Sequence, residues 1–255
     1  MATILIATRN AHKVSEIRAI LGKQFDVFTL NDFPTAPKVV EDADTFAGNA
    51  TKKAVELARW LAVAQCHYDG VEEAIPVGLT RWFGARVRPP LQNREKFVLA
   101  DDSGLEVDAL NGAPGVHSAR FAALDSRENS PDTDNNAKLL RLLKDIPAEK
   151  RSARFRCLIA LAPVLPQCVE SASPVCYADN QETQLFDGAC EGRIIFAACG
   201  QNGFGYDPLF VPNGFDATFA ELGDDVKNKI SHRAKALEKL KAFFNAAELG
   251  AQDRR

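Results

Sequence analysis

The chain has 255 residues, with 31 Lys+Arg against 34 Asp+Glu, a formal net charge of −3, 46% apolar residues and 25% charged ones. These are the proportions of an ordinary globular protein with one large domain or two lobes, and the near-balanced charge excludes a chain built to coat nucleic acid. The longest apolar stretch, Cys157 to Pro166, is too short and too proline-rich to cross a bilayer, so neither nucleic acid nor a membrane is an expected partner. The start, Met1 to Thr8, lacks a basic region and reads as a strand rather than a signal peptide, which makes the cytoplasm the expected compartment. The six cysteines contain no C-x-x-C pair, and in a reducing compartment they are expected to be free thiols.

Thr3 to Ala7 has the pattern of a buried strand, and Asn10 is a good N-cap for a helix carrying Val14, Ile17, Ile20 and Leu21, ended by Gly22. Thr45 or Asp44 can cap a second helix whose stripe is Phe46, Ala50, Ala54, Leu57, Ala58 and Leu61. Phe97 to Ala100 predicts a short strand, followed by a turn at Asp101-Asp102-Ser103-Gly104 and a second strand with Leu105 and Val107. A helix starting at Asn135 or Asn136 and stopped by Pro147 comes next, then a half-exposed strand from Ala153 to Leu161. Residues 183–198 predict one or two strands, with a hairpin around Asp187-Gly188 as one option. A helix capped by Ser231 closes the chain and buries Leu237, Leu240 and Phe244.

The fold class expected from this order is α/β, a mixed central sheet with flanking helices continuing into a second, more antiparallel lobe. Residues 62–97 resist the pattern. They hold several prolines and glycines, the basic residues Arg81, Arg86, Arg88, Arg94 and Lys96, and the aromatic pair Trp82 and Phe83, and read as a surface excursion or a lid.

Four groups of residues could carry chemistry. Asp101, Asp102 and Glu41 are oxygen donors of the kind a hard cation such as Mg²⁺ needs, although Asp-Ser-Gly is also ordinary turn chemistry. Thr8, Asn10 and Lys13 lie where a strand gives way to a helix N-terminus, a place that favours an anion. Lys53 in the second helix, and Lys227, His232 and Arg233 near the end, add cationic groups that could equally be solvated. Gly203-Phe-Gly-Tyr-Asp-Pro208 brackets an aromatic with glycines, so that Phe204 could stack on a planar ligand and Asp207 accept from a ring N–H. Metal-binding acids, an anion site and a stacking loop together describe a nucleoside triphosphate site.

Taken in order, the segments Thr8-Arg-Asn-Ala-His-Lys13, Thr45-Phe-Ala-Gly-Asn-Ala50, Ala100-Asp-Asp-Ser-Gly-Leu105, Gly112 to Arg120, Gly203 to Pro208 and Ile230-Ser-His-Arg233 resemble the inosine/xanthosine triphosphate pyrophosphatases. The resemblance implies a single two-lobed domain over 1–255 with the substrate between the lobes, an insertion at about 62–97, and a homodimer. It also implies Mg²⁺-dependent hydrolysis of ITP, dITP and XTP to a nucleoside monophosphate and pyrophosphate. By the same resemblance Thr8, Arg9, Asn10, Ala11, His12, Lys13 and Lys53 would hold the triphosphate, and Glu41, Asp102 and Asp101 the metal. Asp102 would take the proton of the attacking water, and Ser103 would touch the substrate. Phe204, Gly205, Tyr206, Asp207, Lys227, His232 and Arg233 would frame base and sugar. Two positions depart from the pattern: Gly48 stands where many relatives carry Glu, and His117 where Tyr is usual. A nucleotide sensor on the same scaffold, or a pyrophosphatase for damaged pyrimidine nucleotides, are the competing readings.

Overall fold

The structure, a computed structural model, describes residues 2–68, 95–123, 128–165 and 182–252. Trp82, Phe83 and four of the five arginines and lysines named for the 62–97 segment lie outside the described residues, as do Cys168 and Cys176. Among the described residues six strands form one mixed sheet in the order β2-β1-β3-β4-β5-β6. They are β1 (Thr3–Ile6), β2 (Asp26–Thr29), β3 (Lys96–Val107), β4 (Ser152–Pro163), β5 (Gln184–Ile194) and β6 (Phe210–Pro212). Among the described residues five helices accompany them: α1 (Ala11–Leu21), α2 (Phe46–Tyr68), α3 (Asp132–Leu142), α4 (Phe219–Ile230) and α5 (His232–Gln252). β1 runs parallel to both β2 and β3, whereas β5 and β6 are antiparallel, so the expected α/β class with a mixed sheet is the one observed.

The chain forms two compact units, residues 1–101 with 159–185 and residues 102–158 with 186–255. In the first, β1 is buried along its whole length, as a strand paired on both edges should be. Asn10 caps α1, its side chain accepting from the Lys13 amide at 3.1 Å, and the Gly22 amide closes the other end on Arg18 O. Thr45 caps α2 by accepting from the Gly48 amide at 3.0 Å. Of the expected stripe, Ala50, Ala54, Leu57, Ala58 and Leu61 are buried as their spacing requires, whereas Phe46 at the helix start is half-buried. α2 runs on to Tyr68, past the point where the sequence pattern lost its period.

In the second unit an aromatic cluster supplies the core. Phe155 and Phe210 meet edge-on with centroids 4.7 Å apart, and Phe219 lies 5.4 Å from Phe210. Buried Arg151 donates to the carbonyls of Leu143 and Ile146, just past α3, and of Ile195, just past β5, and its guanidinium lies 3.8 Å from the centre of the Phe196 ring.

Four expectations need correction. Asp101-Asp102-Ser103-Gly104 is not a turn: β3, between β1 and β4 in the sheet, is continuous from Lys96 to Val107 and runs on past its register with β1, so sheet context overrides local turn chemistry. Asp187-Gly188 is not a hairpin but lies inside β5. Gly188 is there because α5 begins against it: an added Cβ would sit 2.0 Å from His232 O and 2.7 Å from Ala236 N. α3 starts at Asp132, with Asp132 and Asp134 in its first turn where the dipole favours them, and ends at Leu142, short of Pro147. Asn135 is no cap; it is buried and braces Ala122 N, Ala119 O and Ser130 O. Finally α4 was absent from the pattern, although Thr218-Phe-Ala-Glu221 is a complete capping box, Thr218 accepting from Glu221 N and Glu221 from Thr218 N.

Gly188→Ala is predicted to destabilise the fold by about 1–3 kcal/mol, the usual cost of overpacking. Urea unfolding followed by circular dichroism will read this as a lower midpoint. A midpoint equal to wild type would show that β5 and α5 do not press together.

Candidate active site

The residues singled out by sequence divide between the two units. Thr8 to Lys13, Glu41, Lys53 and Asp101 belong to the first, and Asp102, Ser103, Phe204 to Asp207, Lys227, His232 and Arg233 to the second.

In the first unit, charge collects at Asp101. This residue sits at the point of β3 just past the register with β1, and its side chain has no exposed surface. A buried carboxylate needs a cation, and Lys13 from the first turn of α1 supplies one through a direct contact with Asp101 Oδ1. Lys53 from α2 comes to the same residue, donating to Asp101 O at 3.3 Å and pairing with Glu41 Oε1 at 2.7 Å. Lys13, Lys53, Glu41 and Asp101 are therefore one linked group. Thr8 Oγ1 accepts from Asn10 N at 3.1 Å and so helps shape the turn that leads into α1. Ala11 and His12 are exposed at the helix start. Arg9 faces a different duty, donating to Leu30 O at 3.1 Å and Ala36 O at 3.4 Å, which ties the loop after β2 to the loop after β1.

Among the described residues no three His, Cys, Asp or Glu side chains gather as a ready-made metal cage. The donor chemistry nevertheless suits a hard divalent cation, because Glu41 and Asp101 offer only oxygen and already draw ammonium cations. Gly48 does not simply lack a carboxylate. A Cβ there would lie 2.7 Å from Ala43 Cβ and 3.1 Å from Thr45 Oγ1, so any side chain requires the 43–45 turn to move.

In the second unit, Asp207 and Lys227 form a buried ion pair at 2.6 Å, both side chains 2% exposed. Asp207 Oδ2 also accepts from Phe204 N at 2.9 Å, which bends the loop back on itself. Gly203 has φ +78°, and a Cβ on it would fall 2.2 Å from that same oxygen, so the loop needs glycine there. Lys227 Nζ stands 4.5 Å from the centre of the Phe204 ring, which is half-buried rather than exposed as its glycine neighbours suggest. The carboxylate that the sequence offered to a ligand N–H is thus engaged by Lys227 and a backbone amide. Tyr206 is buried and donates to Ser118 O at 2.9 Å; burial pushes its phenol well above the ordinary range, so it stays protonated. Arg233 is buried and donates to Ser103 Oγ at 3.1 Å, joining α5 to β3. His232 is stacked on Phe155 at 4.8 Å. Asp102 is buried on β3 beside Ser103. His117 is exposed and within 3.1 Å of an Arg120 nitrogen.

Sequence reasoning missed Asp132 and Asn136, whose side chains hold the two polar groups of Gly205. Their i, i+4 spacing on a helix was the available signal, but it was hidden by starting that helix too late.

The first unit thus carries two ammonium groups at a carboxylate-bearing strand, and the second an aromatic loop locked by a buried ion pair, within an α/β protein. The chain belongs to the Ham1 family, whose model matches residues 4–243. It is 40% identical over 243 residues, 95% of each chain, to a dITP/XTP pyrophosphatase of Desulforamulus reducens. It is 41% identical over 240 residues to a protein of the same name from Exiguobacterium sibiricum, covering 94% of this chain and 95% of that one. Among solved structures it resembles a HAM1 protein from Coxiella burnetii, with a TM-score of 0.67, 30% identity, and coverage of 96% of this chain and all of that one.

Breaking the buried pair tests this picture of the second unit. Asp207→Ala is predicted to cost about 3–5 kcal/mol, because it strands a buried ammonium, and the double variant Asp207→Leu/Lys227→Met to recover most of that loss. Denaturant titration of both measures it. A single variant as stable as wild type would mean that the charges do not meet.

Proposed function

We propose that this protein is a nucleoside triphosphate pyrophosphatase that hydrolyses dITP, ITP and XTP to the monophosphate and pyrophosphate. The observation that carries the reading is the likeness, over about 95% of both chains, to enzymes named for dITP and XTP. The geometry of each unit supports it. Lys13 and Lys53, with the start of α1, are suited to a polyphosphate, since they are cations held beside a helix N-terminus. Thr8 and Asn10 shape that turn, Ala11 and His12 lie on it, and Arg9 fixes its neighbouring loop. Phe204 offers a ring face held by Lys227 and Asp207, with the Arg233 guanidinium 6.0 Å from its centre, and Gly205, Tyr206 and His232 would complete the contacts to base and sugar.

The two units act on one nucleotide as a single functional domain, the first on the phosphates and the second on the base. Glu41, Asp102 and Asp101 would hold Mg²⁺, which when bound neutralises phosphate charge and makes water a better nucleophile. Asp102 accepts the proton of the attacking water, the bond between the α and β phosphates breaks, and pyrophosphate leaves. Ser103, oriented by Arg233, contacts the substrate. A 6-oxo group suits a surface lined by ammonium and guanidinium donors, whereas an adenine amino group would set donor against donor. The resemblance extends the proposal to a homodimer in the cytoplasm. Among the described residues no helix is long and apolar enough to cross a membrane.

Pyrophosphate release across dITP, ITP, XTP and ATP, with Mg²⁺ and with a chelator, is the direct test. The oxo-purines are predicted to react, ATP to lag far behind, and the chelator to stop the reaction. Asp102→Asn is predicted to lower kcat about 10²–10⁴-fold, the usual contribution of a general base, with an unchanged thermal midpoint. Wild-type turnover in that variant would remove Asp102 from the mechanism.

A further inference from the structure

The loop that presents Phe204 contains two residues with positive φ, Gly203 at +78° and Gly205 at +62°. Glycine in that region is easily accommodated, but it also has the most conformational freedom to lose. Gly203 is fixed from within the loop, by the turn that Asp207 closes on the Phe204 amide. Gly205 is different: a Cβ on it would meet nothing within 4 Å, so no packing holds it. What holds it comes from α3. Asp132 Oδ2 accepts from Gly205 N at 2.6 Å, and Asn136 Nδ2 donates to Gly205 O at 3.0 Å. The two side chains are one helical turn apart, so they reach the same place from the same face of α3. They take the N–H and the C=O of a single residue, and so fix both peptide planes that flank it. The Phe204 ring hangs from one of those planes.

We infer that Asp132 and Asn136 are positioning residues that hold the Gly205 peptides and thereby preset the Phe204 ring for the base. The inference rests on the proposed function for the meaning of that ring. The clamp itself is a property of the second unit alone. Presetting matters because a ring that must be ordered by the ligand takes its ordering cost out of the binding energy. That loss falls equally on ground state and transition state, so it raises KM and leaves kcat in place.

Three variants separate this from a merely structural role. Asp132 also lies in the first turn of α3, where its charge favours the helix. Asp132→Ala removes both the charge and the acceptor, whereas Asp132→Asn removes the charge and keeps an oxygen for Gly205 N. With dITP and Mg²⁺, Asp132→Ala and Asn136→Ala are expected to raise KM about three- to tenfold, the range of one lost hydrogen bond, with kcat within twofold of wild type. Asp132→Asn is expected to return KM to near the wild-type value. Hydrogen exchange on the nucleotide-free protein is expected to show faster exchange in the peptide spanning 203–207 in both alanine variants and not in Asp132→Asn. Unchanged exchange in the alanine variants would overturn the clamp, whatever the kinetics. So would an Asp132→Asn variant as impaired as Asp132→Ala, since charge and not the acceptor would then be responsible. A wild-type enzyme that releases no pyrophosphate from dITP would defeat the proposed function instead, and the exchange result would still decide the clamp.

Discussion

A carboxylate with no exposed surface has to be answered by a cation, and in the first unit that requirement falls on Asp101. Its side chain is met by Lys13 from α1, and its carbonyl by Lys53 from α2, which carries Glu41 with it. Three elements far apart in sequence are thereby fixed to one point of β3. Each of these contacts needs Asp101 to continue β3 two residues beyond its register with β1, which ends at Leu99. The continuity of β3 is therefore a condition for the charge cluster, and the cluster in turn keeps two ammonium groups from dispersing into solvent. Under the proposed function such a group would be open to exchange, since a polyphosphate brings more negative charge than a carboxylate, and a divalent cation more positive charge than an ammonium.

The second unit solves a different problem. Its ring-presenting loop has few side chains of its own with which to hold shape, since two of its residues are glycines with positive φ. Order comes from the loop's own Asp207 and Tyr206, anchored on Lys227 and Ser118 O, and from Asp132 and Asn136 outside it. Ser118 is shared, because its hydroxyl also accepts from Leu105 N on β3. The strand that carries Asp102 and Ser103 and the loop that carries Phe204 are thus referenced to the same residue.

What could be read from the sequence follows the range over which each signal acts. Caps and periodic stripes are local, and Asn10, Thr45, Ser231 and the α2 stripe from Ala50 to Leu61 stand where the pattern places them. The errors arose where a local signal was overruled by a distant partner. Gly104 reads as a turn only while the neighbouring strands are unknown, and Gly188 only while α5 is unknown. For the site, the residue types were legible but their pairings were not. Lys227 and Asp207 look like two ligand contacts in the sequence, and the fold joins them to each other. Arg9 looks like a phosphate donor, and the fold gives it to two backbone carbonyls.

These pairings change what selectivity can rest on. If Lys227 were a free surface cation, it would attract any nucleotide and tell none apart, because a mobile ammonium adjusts to whatever acceptor arrives. Buried at 2.6 Å from Asp207 and 4.5 Å from the Phe204 ring centre, it has little room to adjust. The same holds for Arg233, buried and bound to Ser103 Oγ. Donors that cannot move penalise a mismatched base edge by leaving buried polar groups unpaired, which is the steep form of rejection. The rigidity that makes the second unit costly to mutate is then also what would let a small set of ordinary residues distinguish an oxo group from an amino group.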